Sequence, residues 1–289
     1  MRILITGGNG FIARNIFEQL KGEHDISSVG IQKLDLLDSS RVFDYIKGNE
    51  FDTIIHTATY DAAPKHSTKD PAKVLENNLK MFFNITRCRD HFNKMIYFGS
   101  GAEYSRKHWK PKMKEDYFDQ HVPEDQYGFS KYVMTKNALF DDKIYNLRLF
   151  GVFGKYDDCR TRFIPNACSQ AALDLPIKIN QNVFYDYLYV DDLVKIVRWF
   201  INNKPKKKVY NICSGNIYGH QRLAEKIIKV SGKNLGMKIE INGLGKEYSG
   251  DNSLLLQEMG GFEFTPIDSS IKDLYNWYEQ NKGDLYGNN

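Results

Sequence analysis

The 289 residues exceed what one small core needs and suit one large or two modest domains. Net charge is only +4, from 40 basic and 36 acidic residues scattered along the chain, which argues against a nucleic-acid partner; the one basic run, Lys204 to Lys208 around Pro205, reads as a solvated loop. No apolar run reaches the roughly 18 residues a membrane span needs, strand residues from position 2 leave no signal peptide, and Cys88, Cys159, Cys168 and Cys213 show neither CxxC spacing nor a histidine cluster, so they read as free thiols in a reducing cytosol with no metal site.

Arg2-Ile3-Leu4-Ile5-Thr6 is a short apolar run, the pattern of a buried parallel strand. It enters Gly7-Gly8-Asn9-Gly10, after which Phe11, Ile12, Ile16, Phe17 and Leu20 recur at helical spacing. Strand, glycine turn and helix is the context in which such a turn binds a dinucleotide. Gly7 permits the tight turn, Gly10 lets backbone approach a pyrophosphate, and the helix start at Phe11 and Ile12 offers free N–H groups to that anion; the third small residue is Ala13. After a loop at 21–25, a strand over 26–30 ends in Gly30-Ile31-Gln32-Lys33. The acid that accepts bonds from an adenosine ribose is absent there, so nothing repels a 2′-phosphate and Lys33 weakly attracts one; the cofactor reading is NAD(P)(H) with a slight lean to NADP(H).

Asp35-Leu36-Leu37-Asp38 follows, then Ser39 as the N-cap of a helix over 40–47 closed by Gly48. The spacing predicts a strand over 51–58 ending at His56-Thr57-Ala58-Thr59, a long helix over 72–91, and a strand over 95–98 stopping at Gly99-Ser100-Gly101. Residues 105–126 are a long polar loop with Pro111 and Pro123, a length often tied to function. A helix from Tyr127 to about Phe140 and a strand over 144–150 complete an alternation that means a parallel, doubly wound sheet. Beyond it the pattern predicts a helix over 164–173, an extended piece at 177–179, Asp191 as N-cap of a helix over 193–200, a strand over 209–213, a helix over 220–231, a strand over 237–241 and an amphipathic helix over 268–281.

The chemistry rests on Tyr127-Gly128-Phe129-Ser130-Lys131, because residues i and i+4 share a helix face. An ammonium beside a phenol favours phenolate and lowers its pKa from about 10, so Tyr127 exchanges a proton with a sugar or alcohol oxygen. Lys131 also reaches ribose hydroxyls. Ser100, at the carboxyl edge of a strand where open α/β sheets bind ligands, offers its hydroxyl to the same oxygen.

With TGGNGFIA at 6–13, DLLD at 35–38, HTAT at 56–59, SGAEY at 100–104, YGFSK at 127–131, RLFGVFG at 148–154, FIPN at 163–166 and YLYVDDL at 187–193, the chain resembles the extended short-chain dehydrogenase/reductases of the NAD-dependent epimerase/dehydratase family, which act on nucleotide sugars. Within that family its layout is similar to GDP-fucose synthases and 4-keto-sugar reductases. The resemblance implies an α/β Rossmann-type doubly wound parallel sheet (1–155 plus 186–215) with a smaller interleaved C-terminal cap for the nucleotide sugar (156–185 plus 216–289). It implies a catalytic trio of Ser100, Tyr127 and Lys131. The cofactor then lies along Gly7, Gly10, Phe11, Ile12, Asp35, Leu36, Thr57, Ala58, Tyr127 and Lys131, and the substrate against Asn166, Arg162 and Arg222. It further implies a cytoplasmic homodimer paired through residues 72–91 and 127–140.

The departures narrow the reaction. Dehydratases follow the Ser/Thr with an Asp-Glu pair, and Gly101 and Ala102 stand there instead. The Cys and His that serve epimerisation in GDP-fucose synthase are matched by Ala102 and Arg162. What remains is hydride transfer at one carbon: reduction of a 4-keto nucleotide sugar, as in the making of surface-polysaccharide sugars. The alternatives are a C4 epimerase or dehydrogenase with tightly held NAD, and a non-catalytic NADP-binding redox sensor. Tyr185 replaces an Arg that contacts diphosphate, for which Arg160, Arg162 or Arg222 can compensate. Glu103, at a position usually apolar, reads as a solvated edge residue, with substrate contact as the alternative. His56 reads as packed beside cofactor; His66, His91, His108, His121 and His220 read as loop or surface residues.

Overall fold

The computed structural model describes residues 1–62 and 67–283; His66 lies outside them. Six strands, β1 (Arg2–Thr6), β2 (Asp25–Val29), β3 (Phe51–His56), β4 (Phe92–Ser100), β5 (Ile144–Leu149) and β8 (Val209–Ile212), form one sheet in the order β2-β1-β3-β4-β5-β8. Every pairing in it is parallel. Such a sheet must be covered on both faces. Helices α1 (Phe11–Leu20), α6 (Val190–Asn202) and α8 (Ser253–Met259) bury Ile16, Leu193, Val197 and Leu255 on one face. Helices α2 (Ser39–Asn49), α3 (Val74–Thr86) and α4 (Gln126–Leu139) bury Val42, Ile46, Phe82 and Met134 on the other. The chain steps outward from β1 to β2, then crosses back to β3 on the other side of β1. That reversal is the topological switch point, where doubly wound sheets open a crevice.

A second sheet joins β6 (Gly151–Phe153), β7 (Ile177–Tyr189) and β10 (Met237–Tyr248) in parallel, with β9 (Ile217–Gly219) antiparallel to β7. It packs on α5 (Phe163–Ala172), α7 (His220–Ser231) and α9 (Ile267–Gln280) around Ile164, Ile177, Leu223 and Ile271. The boundary expected at 185/186 falls inside β7, and α8, expected in the cap, packs on the first sheet through Leu255.

Several local expectations are corrected. The α2 cap is Asp38, whose carboxylate accepts from the Arg41 N–H at 3.0 Å, and the helix runs through Gly48 to end on Glu50 at φ 51°. The helix expected over 72–91 is broken: Asp70 caps a 3-10 turn at Pro71–Lys73, α3 follows, and a second 3-10 turn at Arg89–His91 lets both Cys88 and Phe92 stay in the core. Asp191 lies in the first turn of α6, capped instead from Tyr189, where its charge suits the helix dipole and accepts from Gln19 at 2.8 Å. The extended piece expected at 177–179 runs on to Tyr189 as one strand, because pairing to β10 and β9 carries the polar middle of β7. Among the described residues no helix is long and apolar enough to cross a membrane, and no group of three or more His, Cys, Asp or Glu could hold a metal.

Candidate active site

The glycine turn at the switch point is built to receive an anion. Gly7 sits at φ 69°, which L side chains rarely adopt, and a methyl there would stand 2.8 Å from the Ala58 Cα and 3.0 Å from the Thr57 hydroxyl. The Gly8 N–H donates to the Val29 carbonyl and the Gly10 N–H to Gly7, each at 2.8 Å. Gly10 caps α1 with no side chain, so the first N–H groups, at Phe11 and Ile12, face outward with the positive end of the dipole. Thr57 anchors the facing wall by donating to the Thr6 carbonyl at 2.6 Å. This cradle fits a pyrophosphate. At its far end, the Asp35 carboxylate accepts from the Leu37 N–H at 2.9 Å, and Leu36 is buried in the core beneath.

The trio converges beside it. Asp125 caps α4 by accepting from the Gly128 N–H at 2.8 Å, which puts Tyr127 in the first turn and Lys131 one turn on. The buried Lys131 ammonium donates to the Phe98 carbonyl at 2.8 Å and lies 5.8 Å from the Tyr127 ring centroid. Ser100 ends β4, and its hydroxyl is close enough to the Tyr127 phenol to favour the phenolate. One expectation is overturned. Lys131 does not draw the phenol down; burial and the nearby Asp61 carboxylate push Tyr127 up to about 12, against the opposing pull of Ser100, Arg162 and Arg106. The ammonium is turned to the Phe98 carbonyl instead, and burial lowers Lys131 to about 8. His56 is 2% exposed, bonds Thr6 at 2.9 Å, and is held neutral by burial and the Lys131 charge, with its pKa down to about 3.

Glu103 is not the solvated edge residue expected. It is fully buried, accepts from the Ser100 N–H at 2.9 Å, from Thr135 of α4 at 2.8 Å, and pairs with Arg148 of β5 at 2.7 Å. Asn146 completes the set by donating to Thr135 at 2.7 Å. The sequence signal was an acid three residues after Ser100 together with an arginine inside a strand that is mostly apolar: each charge demands the other.

Toward the cap, Arg162 stands 3.8 Å from Asp61 and faces Tyr127, Tyr185 and Tyr187. Arg106, absent from the sequence-derived set, pairs with Asp125 at 3.5 Å and lies over the Trp109 ring at 5.3 Å, and its charge pulls on the Tyr127, Tyr185 and Tyr248 phenols from the long loop. Asn166 donates to the Cys159 carbonyl at 2.7 Å, bracing the segment that carries Arg162. Arg222 is not brought to this cluster; it pairs with Glu225 at 3.1 Å on the exposed side of α7. His220, expected at the surface, stacks on Phe163 at 3.9 Å and bonds the Tyr187 hydroxyl at 2.8 Å, its pKa lowered by burial to about 4. His108 and His121 stack on each other at 3.7 Å in the long loop.

Residues 3–213 match the model of the NAD dependent epimerase/dehydratase family. The GDP-L-colitose synthase of Yersinia pseudotuberculosis is 23% identical over 98% of this chain and 99% of its own. In fold, the chain is similar to a GDP-L-fucose synthetase from Naegleria fowleri solved with NADP (TM-score 0.84, 18% identity, 98% of this chain and 93% of that one). It is likewise similar to a GDP-mannoheptose C4 reductase from Campylobacter jejuni solved with NADP (TM-score 0.82, 20% identity, 96% and 98%). The glycine cradle, the parallel sheet and the match over residues 3–213 together place the chain in the NAD dependent epimerase/dehydratase family, as an NAD(P)-binding enzyme of the short-chain dehydrogenase/reductase type.

Proposed function

We propose that the protein reduces the keto group of a nucleotide-linked 4-keto sugar, with hydride arriving at C4 and a proton at the oxygen, so that C=O becomes CH–OH. The observation that carries this is Tyr127 beside Ser100 with Lys131 behind it, and no carboxylate at Gly101 or Ala102. The nicotinamide cofactor, when bound, supplies the hydride. A phenol held near 12 stays protonated at neutral pH, which suits a donor to a developing alkoxide better than a base that removes a proton from an alcohol. Ser100 hydrogen-bonds the same oxygen and Lys131 holds the nicotinamide ribose. Arg162 and Arg106 supply positive charge for the diphosphate, with Asn166 bracing the segment between. Arg222 takes part only if its pairing with Glu225 opens. Lys33 and Arg41, whose guanidinium donates to the Lys33 carbonyl at 2.9 Å, bias the adenosine end toward NADP(H). The same reading expects a cytoplasmic homodimer through α3 and α4.

The test is direct. Purified protein is incubated with NADPH and, in turn, GDP-, CDP-, UDP- and dTDP-linked 4-keto sugars, following NADPH absorbance and product mass. Stoichiometric NADPH loss with formation of the alcohol is expected. Redox-neutral inversion at C4 of the corresponding 4-hydroxy nucleotide sugars by protein that retains NAD(H) would instead mean a C4 epimerase, and NADP binding without turnover of any sugar a redox sensor.

A further inference from the structure

The site holds a second phenol that the trio does not account for. Tyr248 closes β10, paired in register with Tyr185 of β7, and is 8% exposed. Its ring stacks on Trp109 at 4.2 Å and lies 5.1 Å from Phe150 and 5.3 Å from Tyr185. Trp109 is itself fixed by donating to the Gly101 carbonyl at 3.0 Å. The hydroxyl therefore stands against Gly101, the residue next to Ser100, on the cap side of the strand end.

Gly101 makes this possible. A methyl there would stand 2.6 Å from the Tyr248 hydroxyl, 2.7 Å from its Cε2 and 2.9 Å from Phe150. The ring cannot retreat, because Trp109 backs it. Where the dehydratases resembled in sequence carry the Asp of elimination, this chain has no side chain, and a phenol from the other domain occupies the space.

We propose that Tyr248 is a positioning residue that fixes the direction of the Ser100 hydroxyl. Serine oxygen has two lone pairs and one proton. The Ala102 N–H already donates to it at 3.2 Å. The Tyr248 hydroxyl, placed against Gly101 and kept protonated by its burial, is the donor assigned to the remaining lone pair when the site closes on its ligands. The single Ser100 proton is then left for Tyr127 and the substrate oxygen, so Ser100 acts as a donor and not as a competing acceptor. Tyr248 also fills the slot an elimination acid would need, which confines the site to hydride and proton transfer. This role deepens the reductase reading and rests on it for its catalytic half.

The test is a double-substitution cycle with Tyr248→Phe and Ser100→Ala. Tyr248→Phe removes one oxygen and keeps the stack on Trp109, so folding is retained. Without any substrate, the shifts in urea midpoint of the two variants should be non-additive; additive shifts overturn the bond and with it the proposal, whatever the enzyme turns over. With the 4-keto sugar, Tyr248→Phe should lower kcat about tenfold, the worth of one hydrogen bond, leave the NADPH Kd unchanged, and have no further effect in the Ser100→Ala background. A loss of kcat equally large in both backgrounds overturns action through Ser100. Coupled midpoints in a protein that reduces no sugar would sink the reductase reading while leaving the Tyr248–Ser100 bond in place. Gly101→Ala, which drives the phenol aside, should reproduce the kcat loss; unaltered kcat in that variant contradicts the shared space.

Discussion

Glu103 and Arg148 form a 2.7 Å ion pair with both side chains fully buried, directly beneath Ser100. The carboxylate ties the end of β4 to α4 through Thr135, and so sets where Ser100 stands relative to Tyr127 and Lys131. Removing one partner strands the other charge in the core. Glu103→Ala should therefore lose ~3–5 kcal/mol of stability in urea denaturation, and the Glu103→Leu/Arg148→Met double variant should recover much of it while still losing activity. A single-variant loss below about 1 kcal/mol, the scale of an exposed pair, contradicts this.

Lys131 gives opposite pH signatures in binding and stability. Burial lowers its pKa from 10.5 to about 8. As pH rises through about 8 the folded protein loses the ammonium, so NADPH should bind more weakly, and Lys131→Met should abolish that step. Between about 8 and 10.5 the unfolded chain still holds the proton, so the unfolded state binds more protons and stability rises with pH across that window. Isothermal titration and denaturation at stepped pH check both; NADPH affinity flat through pH 8 in the native protein contradicts the ribose-holding role.

Gly7→Ala places a methyl 2.8 Å from the Ala58 Cα on a backbone at φ 69°. It should cost ~1–3 kcal/mol through backbone strain and weaken NADPH binding more than tenfold, read by titration of cofactor fluorescence. Unchanged affinity would mean that the cofactor does not seat in this turn.

The lean to NADP(H) rests on Lys33 and Arg41. Replacing either by Ala should lower kcat/KM for NADPH about tenfold, the worth of a charge-assisted hydrogen bond, and leave NADH little affected. Equal losses with both cofactors contradict a 2′-phosphate contact.

The nucleotide-binding half was legible because its signals are local. A glycine turn between a buried strand and an amphipathic helix, and a phenol and ammonium one turn apart, need no partner to be recognised. What failed was set by distant contacts. β7 reads as a short piece at 177–179 until β10 and β9 satisfy its polar middle, and α8 is seven residues with one buried leucine. Glu103 looked solvated because its counter-charge is 45 residues away. Tyr248 and Arg106 reach the site from β10 and the long loop, with no spacing that points there, and the direction of the Tyr127 shift is set by burial in the folded protein, with Asp61, far from it in sequence, adding to it.

The most direct test is Tyr127→Phe, assayed for NADPH oxidation on the best 4-keto nucleotide sugar alongside NADPH affinity. Loss of the proton donor should lower kcat on the order of 10²–10⁴-fold with cofactor binding intact. Full turnover in that variant would contradict the central claim that the Tyr127 phenol delivers the proton.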